Sequence, residues 1–308
     1  MALVSVVIGC RNYGRFLREA IASTNAQTHA EVEVIVVDYG STDDTREIVA
    51  EFPQARCLSV PNRGLGRARN DGLRAGKGEF VVFLDADDML VPDAIATSLA
   101  CLEERPECAF VYGHQRFFDG SGEVSWRGGG PEGRLNDADP YAYMLRTNNG
   151  LRAPGAALYR RDVLLQVDGF ATDLEGCEDF DLNARLARAH PIACNDRIVL
   201  MTRVHESNMS RRWGSMLAKA ITAQRRQHSY VRAHPEYEND YRNGLRVARS
   251  HWGGRLAEEA LTNISAGSYD RPARDLLTLL RWAPRTAPRF VARAAMRAAR
   301  RLLGRHGR

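Results

Sequence analysis

The sequence predicts an α/β protein with a doubly wound, mainly parallel sheet and a helical C-terminal extension. Over the first 112 residues, short apolar runs alternate with segments of helical periodicity, as in successive βαβ units. The apolar runs are continuous rather than alternating, which is typical of strands that helices cover on both faces. After residue 210 the periodicity is helical to the end of the chain.

Four strands and three helices account for the first 112 residues. The predicted strands are residues 4–8, 32–37, 56–60 and 80–84, and the predicted helices are residues 15–27, 43–51 and 65–76. Residues 113–150 interrupt this pattern with glycines and polar turns, which predict a hairpin within a binding loop region.

The regular pattern resumes at Ala156 with a strand. The elements predicted after it are helices at 160–167 and 178–189, a strand pair near 192–204, and helices at 215–232, 240–266, 273–282 and 287–303. We therefore predict three segments, which are residues 1–112, residues 113–210 and a helical extension at residues 211–308.

Composition and cysteine usage indicate the compartment. A hydrophobic fraction of 44% and a charged fraction of 26% are ordinary for a soluble globular protein. No apolar run approaches the roughly 18 residues that span a bilayer, and the first residues lack a signal-peptide pattern. The six cysteines are scattered without a C-x-x-C pair, so their spacing indicates neither a zinc site nor a disulfide framework. These observations predict a cytoplasmic protein with reduced cysteines.

Positive charge is concentrated at the C-terminus. Residues 271–308 contain eleven arginines and a single acid, Asp275, whereas the rest of the chain is net negative. This asymmetry predicts an acidic partner for the tail, either phospholipid or nucleic acid.

Three carboxylates follow the fourth predicted strand. Asp85, Asp87 and Asp88 stand in the run Phe-Leu-Asp-Ala-Asp-Asp, and the carboxyl ends of strands are where open α/β sheets bind ligands. Hard oxygen ligands suit Mg²⁺ or Mn²⁺ bridging a diphosphate. The alternative is a solvated acidic turn that caps the next helix.

Two further segments stand at equivalent strand ends. Asp38 and Tyr39 follow the second strand and are placed to contact a nucleobase or ribose, unless they only form a capped turn. The glycines and arginines of residues 62–70, Arg69 among them, open a helix where phosphate is favoured, unless they form only a surface arginine face.

A second acidic cluster begins the helix predicted at residues 178–189. Glu178, Asp179 and Asp181 lie in its first turn, where the helix dipole stabilises acids without any catalytic role.

Taken together, these segments resemble the family 2 glycosyltransferases in order and spacing over residues 3 to about 210. The matching segments are Val4–Ile8 with Asn12, the Val-Asp-x-Gly-Ser-Thr-Asp run, Asn62–Asn70, the Phe-Leu-Asp-Ala-Asp-Asp run and the Glu-Asp-Phe-Asp-Leu run. The resemblance implies a GT-A fold, a nucleotide-sugar donor, a divalent metal, and inverting transfer without a covalent intermediate.

The resemblance also implies roles for the acidic residues. Asp85 and Asp87 resemble the D-x-D pair, with Asp85 facing the donor ribose or sugar, Asp87 binding the metal, and Asp88 supporting them. Asp179 resembles the catalytic base, and Glu178 is an orienting or substitute carboxylate beside it. One base is enough for inversion by direct displacement.

The remaining implied site residues surround the donor. Asn12, Asp38, Tyr39 and Arg69 are predicted to bind the nucleotide-sugar. His205 lies in a stretch that resembles the late R-x-H-x-x-S of many members, where the histidine reaches the metal or the diphosphate; the alternative is a packed polar residue.

Three departures from the family pattern bear on the donor and the product. Tyr39 replaces an acid thought to read uracil, and an aromatic ring could stack on the base instead. Gly9-Cys10-Arg11 replaces the usual Pro-Thr-Tyr. The Q-x-x-R-W of processive synthases is similar to the stretch ending at Trp213, but Met209 stands at the glutamine position, which favours transfer of a single sugar.

The sequence thus predicts an inverting glycosyltransferase that uses Mn²⁺ or Mg²⁺ and a UDP-sugar, and that acts on a saccharide or lipid-linked acceptor in cell-surface polysaccharide synthesis. Residues 1–112 would hold the nucleotide and residues 113–210 the acceptor.

An amphipathic helix within residues 284–308 predicts contact with an anionic membrane, on the inner face of the plasma membrane, and no nucleic acid is expected. Its predicted apolar face comprises Phe290, Val291, Ala294, Ala298, Leu302 and Leu303. The alternatives are a nucleotidyltransferase and a non-catalytic scaffold that binds acidic partners through its tail.

Overall fold

The computed structural model of the chain describes residues 1–123, 139–148, 153–174 and 176–305, with side chains described to residue 296. These residues form two compact units. Unit 1 comprises Met1–Met144 and Asn149–Glu206, and unit 2 comprises Leu145–Asn148 and Ser207–Arg308. Much of the predicted acceptor loop region, residues 124–138 and 149–152, lies outside the described residues.

Unit 1 is built on a mixed α/β pattern. Its strands are β1 (Val4–Cys10), β2 (Val32–Asp38), β3 (Ala55–Ser59), β4 (Phe80–Asp85), β5 (Met89–Leu90), β6 (Phe110–Asp119), β7 (Gly122–Glu123), β8 (Ala157–Arg160) and β9 (Ile192–Arg203). Its helices are α1 (Gly14–Asn25), α2 (Thr45–Ala50), α3 (Leu65–Ala75), α4 (Ala94–Glu103), the start of α5 (Pro140–Thr147), α6 (Arg161–Gln166) and α7 (Glu178–Ala189).

All nine strands form one sheet in the order β3-β2-β1-β4-β8-β6-β9-β5, with β7 paired to β6. Strands β1 to β4 pair in parallel, whereas β8 is antiparallel to both β4 and β6. Asp38 is the register partner of Cys10, and Asp85 is the partner of Gly9. The two aspartates therefore flank the end of β1 at one edge of the sheet.

Strands β1, β2 and β4 form where predicted because most of their residues are buried in the core, whereas the edge strand β3 is largely exposed. Val6, Val7 and Ile8 of β1 are all fully buried. Helix α3 packs closely on this strand at Gly72, where a Cβ atom would lie 2.2 Å from a methyl carbon of Val7. A larger residue at position 72 would push α3, and the residues it carries, away from the sheet.

Two predicted elements differ from the structure. The strand pair predicted near 192–204 is one continuous strand, β9, with an irregularity in its pairing to β6. The helix predicted at 215–232 divides into α8 (Trp213–Arg226) and α9 (His228–Ala233) at a turn on Gln227, whose side chain is buried. The hairpin predicted after residue 112 is present as β6 and β7.

Unit 2 is helical. It contains the end of α5, then α8, α9, α10 (Glu238–Ala266), α11 (Asp270–Trp282) and α12 (Ala287–Arg305). The buried Gln224 side chain donates to the backbone oxygens of Leu145, at 3.0 Å, and of Tyr241, at 3.2 Å. Helix α10 ends at Gly267, whose φ of +90° suits the left-handed cap. None of the helices in the described ranges has the length and apolarity needed to cross a bilayer.

Candidate active site

Two loops at the carboxyl edge of the sheet are tied together by side chains. Asn12, with a φ of +59°, accepts a hydrogen bond from the Thr42 backbone at 2.8 Å and donates its own N–H to the Ser41 hydroxyl at 3.1 Å. Asp43 accepts a hydrogen bond from the Gly14 N–H at 2.9 Å. Asn12, predicted to bind the nucleotide, therefore also fixes the β1–α1 loop against the β2–α2 loop.

Asp38 is fully buried beneath the second of these loops. Its carboxylate accepts hydrogen bonds from the Ser41 N–H at 2.8 Å and from the Arg46 guanidinium at 2.7 Å. Burial raises the pKa of this carboxyl, but the Arg46 and Ser41 hydrogen bonds outweigh burial and hold the pKa below its usual range. Asp38 thus shapes the loop as an anion, and its direct contact with a nucleotide stays a prediction.

Tyr39 lies half-buried next to the first strand. A Cβ atom on Gly9 would lie 2.7 Å from a methyl carbon of Leu65 and 4.0 Å from the Tyr39 ring. Glycine at position 9 leaves room for both neighbours, so two of the departures from the family pattern, Gly9 and Tyr39, are packed side by side.

Arg69 of α3 joins two carboxylates that are distant in the chain. It is buried, and it donates to Glu178 at 2.7 Å and to Asp85 at 2.5 Å while its guanidinium lies 5.3 Å from the centre of the Phe170 ring. Burial lowers the pKa of Arg69, but the charges of Asp85 and Glu178 outweigh burial and raise it. We therefore revise its predicted role from phosphate contact to positioning, because its terminal nitrogens bind protein carboxylates.

The two acids at the start of α7 differ in their surroundings, because only Glu178 is bound by Arg69 among the contacts described above. Glu178 is buried, and its second oxygen accepts a hydrogen bond from the Gly176 N–H. Asp179 is only partly buried, and it accepts a hydrogen bond from the Phe180 N–H at 2.8 Å. Glu178 is therefore placed to orient the helix start, and Asp179 is the acid with access to solvent.

Asp87 and His205 form a second pair of contacting side chains. His205 Nε2 lies 2.9 Å from a carboxylate oxygen of Asp87, and each side chain is 13% exposed. Aromatic rings hold the imidazole in place, since the Phe16 and Tyr13 ring centres lie 4.7 and 5.7 Å from it. The structure thus brings together Asp87 and His205, two of the three residues, with Asp85, that are predicted to bind the metal.

Arg203 is a site residue that the sequence analysis did not single out. Its backbone N–H donates to Asp88 at 2.9 Å, its guanidinium donates to the Asp87 carbonyl at 3.1 Å, and that guanidinium lies over the Phe118 ring at 4.4 Å. Burial and the charges of Asp87 and Asp85 raise the pKa of Asp88 well above its usual range, despite Arg203. The sequence signal that could have identified Arg203 is its position two residues before His205.

The donor set of this cluster fits a divalent cation. Asp85 and Asp87 offer carboxylate oxygens, which Mg²⁺ and Mn²⁺ prefer, and His205 offers an imidazole nitrogen. Burial and the charge of Asp87 raise the pKa of Asp85, with Arg69 opposing. A nearby cation would favour both carboxylates in their charged forms. Among the described residues these three do not form a three-ligand cluster in the structure. Mg²⁺ commonly takes one or two protein carboxylates and completes its shell with phosphate and water.

Comparison with known proteins identifies the family. The model for "Glycosyl transferase family 2" matches residues 5–167. An uncharacterized glycosyltransferase of Nostoc sp., alr2836, is 32% identical over 171 residues, which are 53% of this chain and 52% of that protein. The chondroitin synthase of Escherichia coli is 27% identical over 216 residues, which are 68% of this chain and 30% of that protein. The chain thus matches about half of the first relative's length and less than a third of the second's.

Solved structures share the fold at lower identity. S. aureus TarS 1-349 in complex with UDP has a TM-score of 0.58 and 18% identity, covering 97% of this chain and 91% of that one. The mannosyltransferase PcManGT from Pyrobaculum calidifontis, in complex with GDP-Man and Mn2+, has a TM-score of 0.58 and 20% identity, covering 98% and 87%. The predicted GT-A type α/β fold is confirmed, and the chain belongs to glycosyltransferase family 2.

Proposed function

We propose that this enzyme moves one sugar from a nucleotide-diphosphate sugar to a hydroxyl of a saccharide or lipid-linked acceptor, with inversion and with Mn²⁺ or Mg²⁺. The observation that carries the proposal is the Arg69 bridge, which holds Asp85 at the sheet edge and Glu178 at the start of α7. Membership in a glycosyltransferase family favours glycosyl transfer over the nucleotidyltransferase and scaffold alternatives.

The residues of the site divide the chemistry between them. Asp179 accepts the proton of the acceptor hydroxyl as that oxygen attacks the anomeric carbon. Glu178 and Arg69 hold Asp179 in place by fixing the first turn of α7. Asp85, Asp87 and His205 would hold the cation, which, when bound, offsets the charge that develops on the leaving diphosphate.

A UDP-sugar is the donor that we propose. Structural neighbours are complexes with UDP, UDP-GlcNAc and GDP-Man with Mn2+, so nucleotide-sugars suit this fold. Relatives include a chondroitin synthase and an O-antigen biosynthesis protein of Myxococcus xanthus, which supports a role in surface polysaccharide synthesis. Tyr39 directly follows β2, and we expect its ring to stack on the base of the donor.

A thermal-shift series tests the donor and the cation together. We expect UDP, compared with GDP, dTDP and CMP, to raise the melting temperature only when Mn²⁺ or Mg²⁺ is present, because a ligand that binds only the folded state stabilises it. Asp87→Asn should abolish this shift, since it removes a charged cation ligand. The surface variant Asp162→Asn on α6 serves as the control. Stabilisation by none of the nucleotides, or equal stabilisation without metal, would contradict the proposal.

We also propose that unit 2 contacts an anionic membrane, through a surface that differs from the predicted one. Phe290 is buried in the protein and cannot reach lipid, whereas Val291 is 48% exposed. The side chains of Ala298, Leu302 and Leu303 lie outside the described range. The preceding helix, α11, exposes Leu277 by 67% and Leu280 by 52%.

Helix α11 combines these apolar side chains with positive charge. Leu277 and Leu280 are three residues apart and share one helix face with the exposed Arg274 and Arg281. We name these four residues the basic apolar face. In a helix that lies on a membrane, leucine side chains enter the interface and neighbouring arginines contact the anionic headgroups. The basic apolar face has this pattern.

Vesicle flotation tests the basic apolar face. We expect the protein to bind phosphatidylcholine vesicles only when they contain phosphatidylglycerol, and Leu277→Glu with Leu280→Glu to weaken binding about tenfold or more. Leu165→Glu is the matched control, because Leu165 is an exposed leucine, at 40%, on α6 of unit 1. If the double variant binds vesicles as well as the wild type does, the proposed membrane contact of the basic apolar face is wrong.

A further inference from the structure

An irregularity in the sheet gathers three metal-binding side chains away from the candidate active site. In the pairing of β6 with β9, Tyr112 faces Cys194, but His114 faces Ile198, so β9 contains two extra residues. Asp196, within this bulge, has a φ of +53°. Bulges of this kind redirect side chains.

The bulge depends on a glycine in the opposite strand. A Cβ atom on Gly113 would lie 2.8 Å from the Arg197 carbonyl and 2.6 Å from a methyl carbon of Val199. Because position 113 has no side chain, the backbone of the bulge can close over β6. Both strands are therefore adapted to the irregularity, and its geometry is set by packing.

The side chains of His114, Cys194 and Asp196 converge at the bulge. His114 Nε2 lies 2.9 Å from a carboxylate oxygen of Asp196, and the Asp196 N–H donates to the Cys194 sulfur at 3.4 Å. One ligand atom from each residue lies within 4.8 Å of the other two. The His114 side chain is 34% exposed, so a small ion can reach the cluster from solvent.

We propose that His114, Cys194 and Asp196 bind a Zn²⁺ ion. Thiolate sulfur, imidazole nitrogen and carboxylate oxygen are the ligands that Zn²⁺ takes, and three protein ligands leave a fourth tetrahedral position for water. Ligand atoms around one tetrahedral zinc lie about 3.3 to 3.8 Å apart. In the structure the His114 and Asp196 ligand atoms lie 2.9 Å apart, and all three ligand atoms lie within 4.8 Å of one another, so the observed limits include this range.

This zinc site is distinct from the metal proposed for the donor. Arg203 lies seven residue steps after Asp196 in β9, which at about 3.3 Å per residue is roughly 23 Å along the strand. The ligands also differ in kind, because a thiolate selects Zn²⁺ over Mg²⁺ or Mn²⁺. A bound ion would join β6 to β9, the strand that ends at Arg203. The spacing of the cysteines did not indicate this site, since His114 is 82 residues from Asp196 in the chain.

Cobalt substitution in the reduced, metal-free, full-length protein tests the site. We expect one equivalent of Co²⁺ to produce a sulfur-to-cobalt charge-transfer band in the near ultraviolet, and Zn²⁺ to displace it. Cys194→Ser should abolish the band, and His114→Ala should weaken Co²⁺ affinity at least about tenfold. Cys57→Ser is the matched control, because Cys57 is an exposed, free cysteine on β3.

Three results would overturn the zinc site. They are the absence of the band in the wild-type protein, its persistence in Cys194→Ser, and its loss in Cys57→Ser. The variant Asp87→Asn keeps this test separate from the proposed function, because its cobalt band should equal that of the wild type. A band lost in Asp87→Asn would show that the band depends on the donor site, and it would be a fourth result against the inference.

Discussion

Replacing Asp179 with asparagine is expected to lower the turnover number by about 10² to 10⁴-fold, the range that a positioned general base contributes. Asparagine has nearly the same size and can keep the hydrogen bond from the Phe180 N–H, but it cannot accept the acceptor's proton. Donor affinity should therefore stay at its wild-type value. The measurement is release of the nucleoside diphosphate, with water as the acceptor, alongside the thermal shift given by the donor and metal.

The neighbouring acid makes this test specific. Glu178→Gln should lower the free energy of unfolding more than Asp179→Asn does, because Glu178 is buried against Arg69 whereas Asp179 is partly exposed. Asp162→Asn, on the surface of α6, should behave as the wild type. A wild-type turnover number in Asp179→Asn would mean that another group accepts the proton.

The fold was largely predictable because its strands are unusually apolar. Continuous runs such as Val4–Ile8 can be stable only when buried on both faces, and β1 extends just two residues beyond that run. Strand β9 was harder to predict. The polar residues 195–197 interrupt its apolar pattern like a turn between two strands, and only the pairing with β6 shows that they form a bulge. Long-range pairing of this kind leaves no periodic signal in the sequence.

The site was predictable where its chemistry is local. Asp85 and Asp87 follow one strand, so their convergence at the sheet edge follows from the topology. The role of Arg69 was not predictable from the sequence, because its partner Glu178 is 109 residues away in the chain. An arginine near the start of a helix equally suggests a phosphate ligand. Arg203 was missed for the same reason, since its contacts with Asp87 and Asp88 cross about 115 residues of chain.

Arg69→Met is expected to lower the free energy of unfolding by about 3 to 5 kcal/mol, the typical effect of removing one partner from a buried ion pair. Both side chains of the Arg69–Glu178 pair are at most 4% exposed, so the remaining carboxylate would be left charged and without its cation in the interior. Asp85 contributes less, because a third of its side chain is exposed. Denaturant unfolding measures the change, and Arg74→Met, an exposed arginine on the same helix, is the control.

A second substitution tells a lost ion pair from lost packing. If the instability of Arg69→Met arises from the unpaired carboxylate, Arg69→Met with Glu178→Met should recover stability relative to Arg69→Met alone, because two apolar side chains can replace a buried pair. Additive losses in the double variant would show that packing of the Arg69 side chain, including its guanidinium over Phe170, carries the effect. The recovered double variant should still lose turnover, since Asp85 and the first turn of α7 would no longer be held by a common cation.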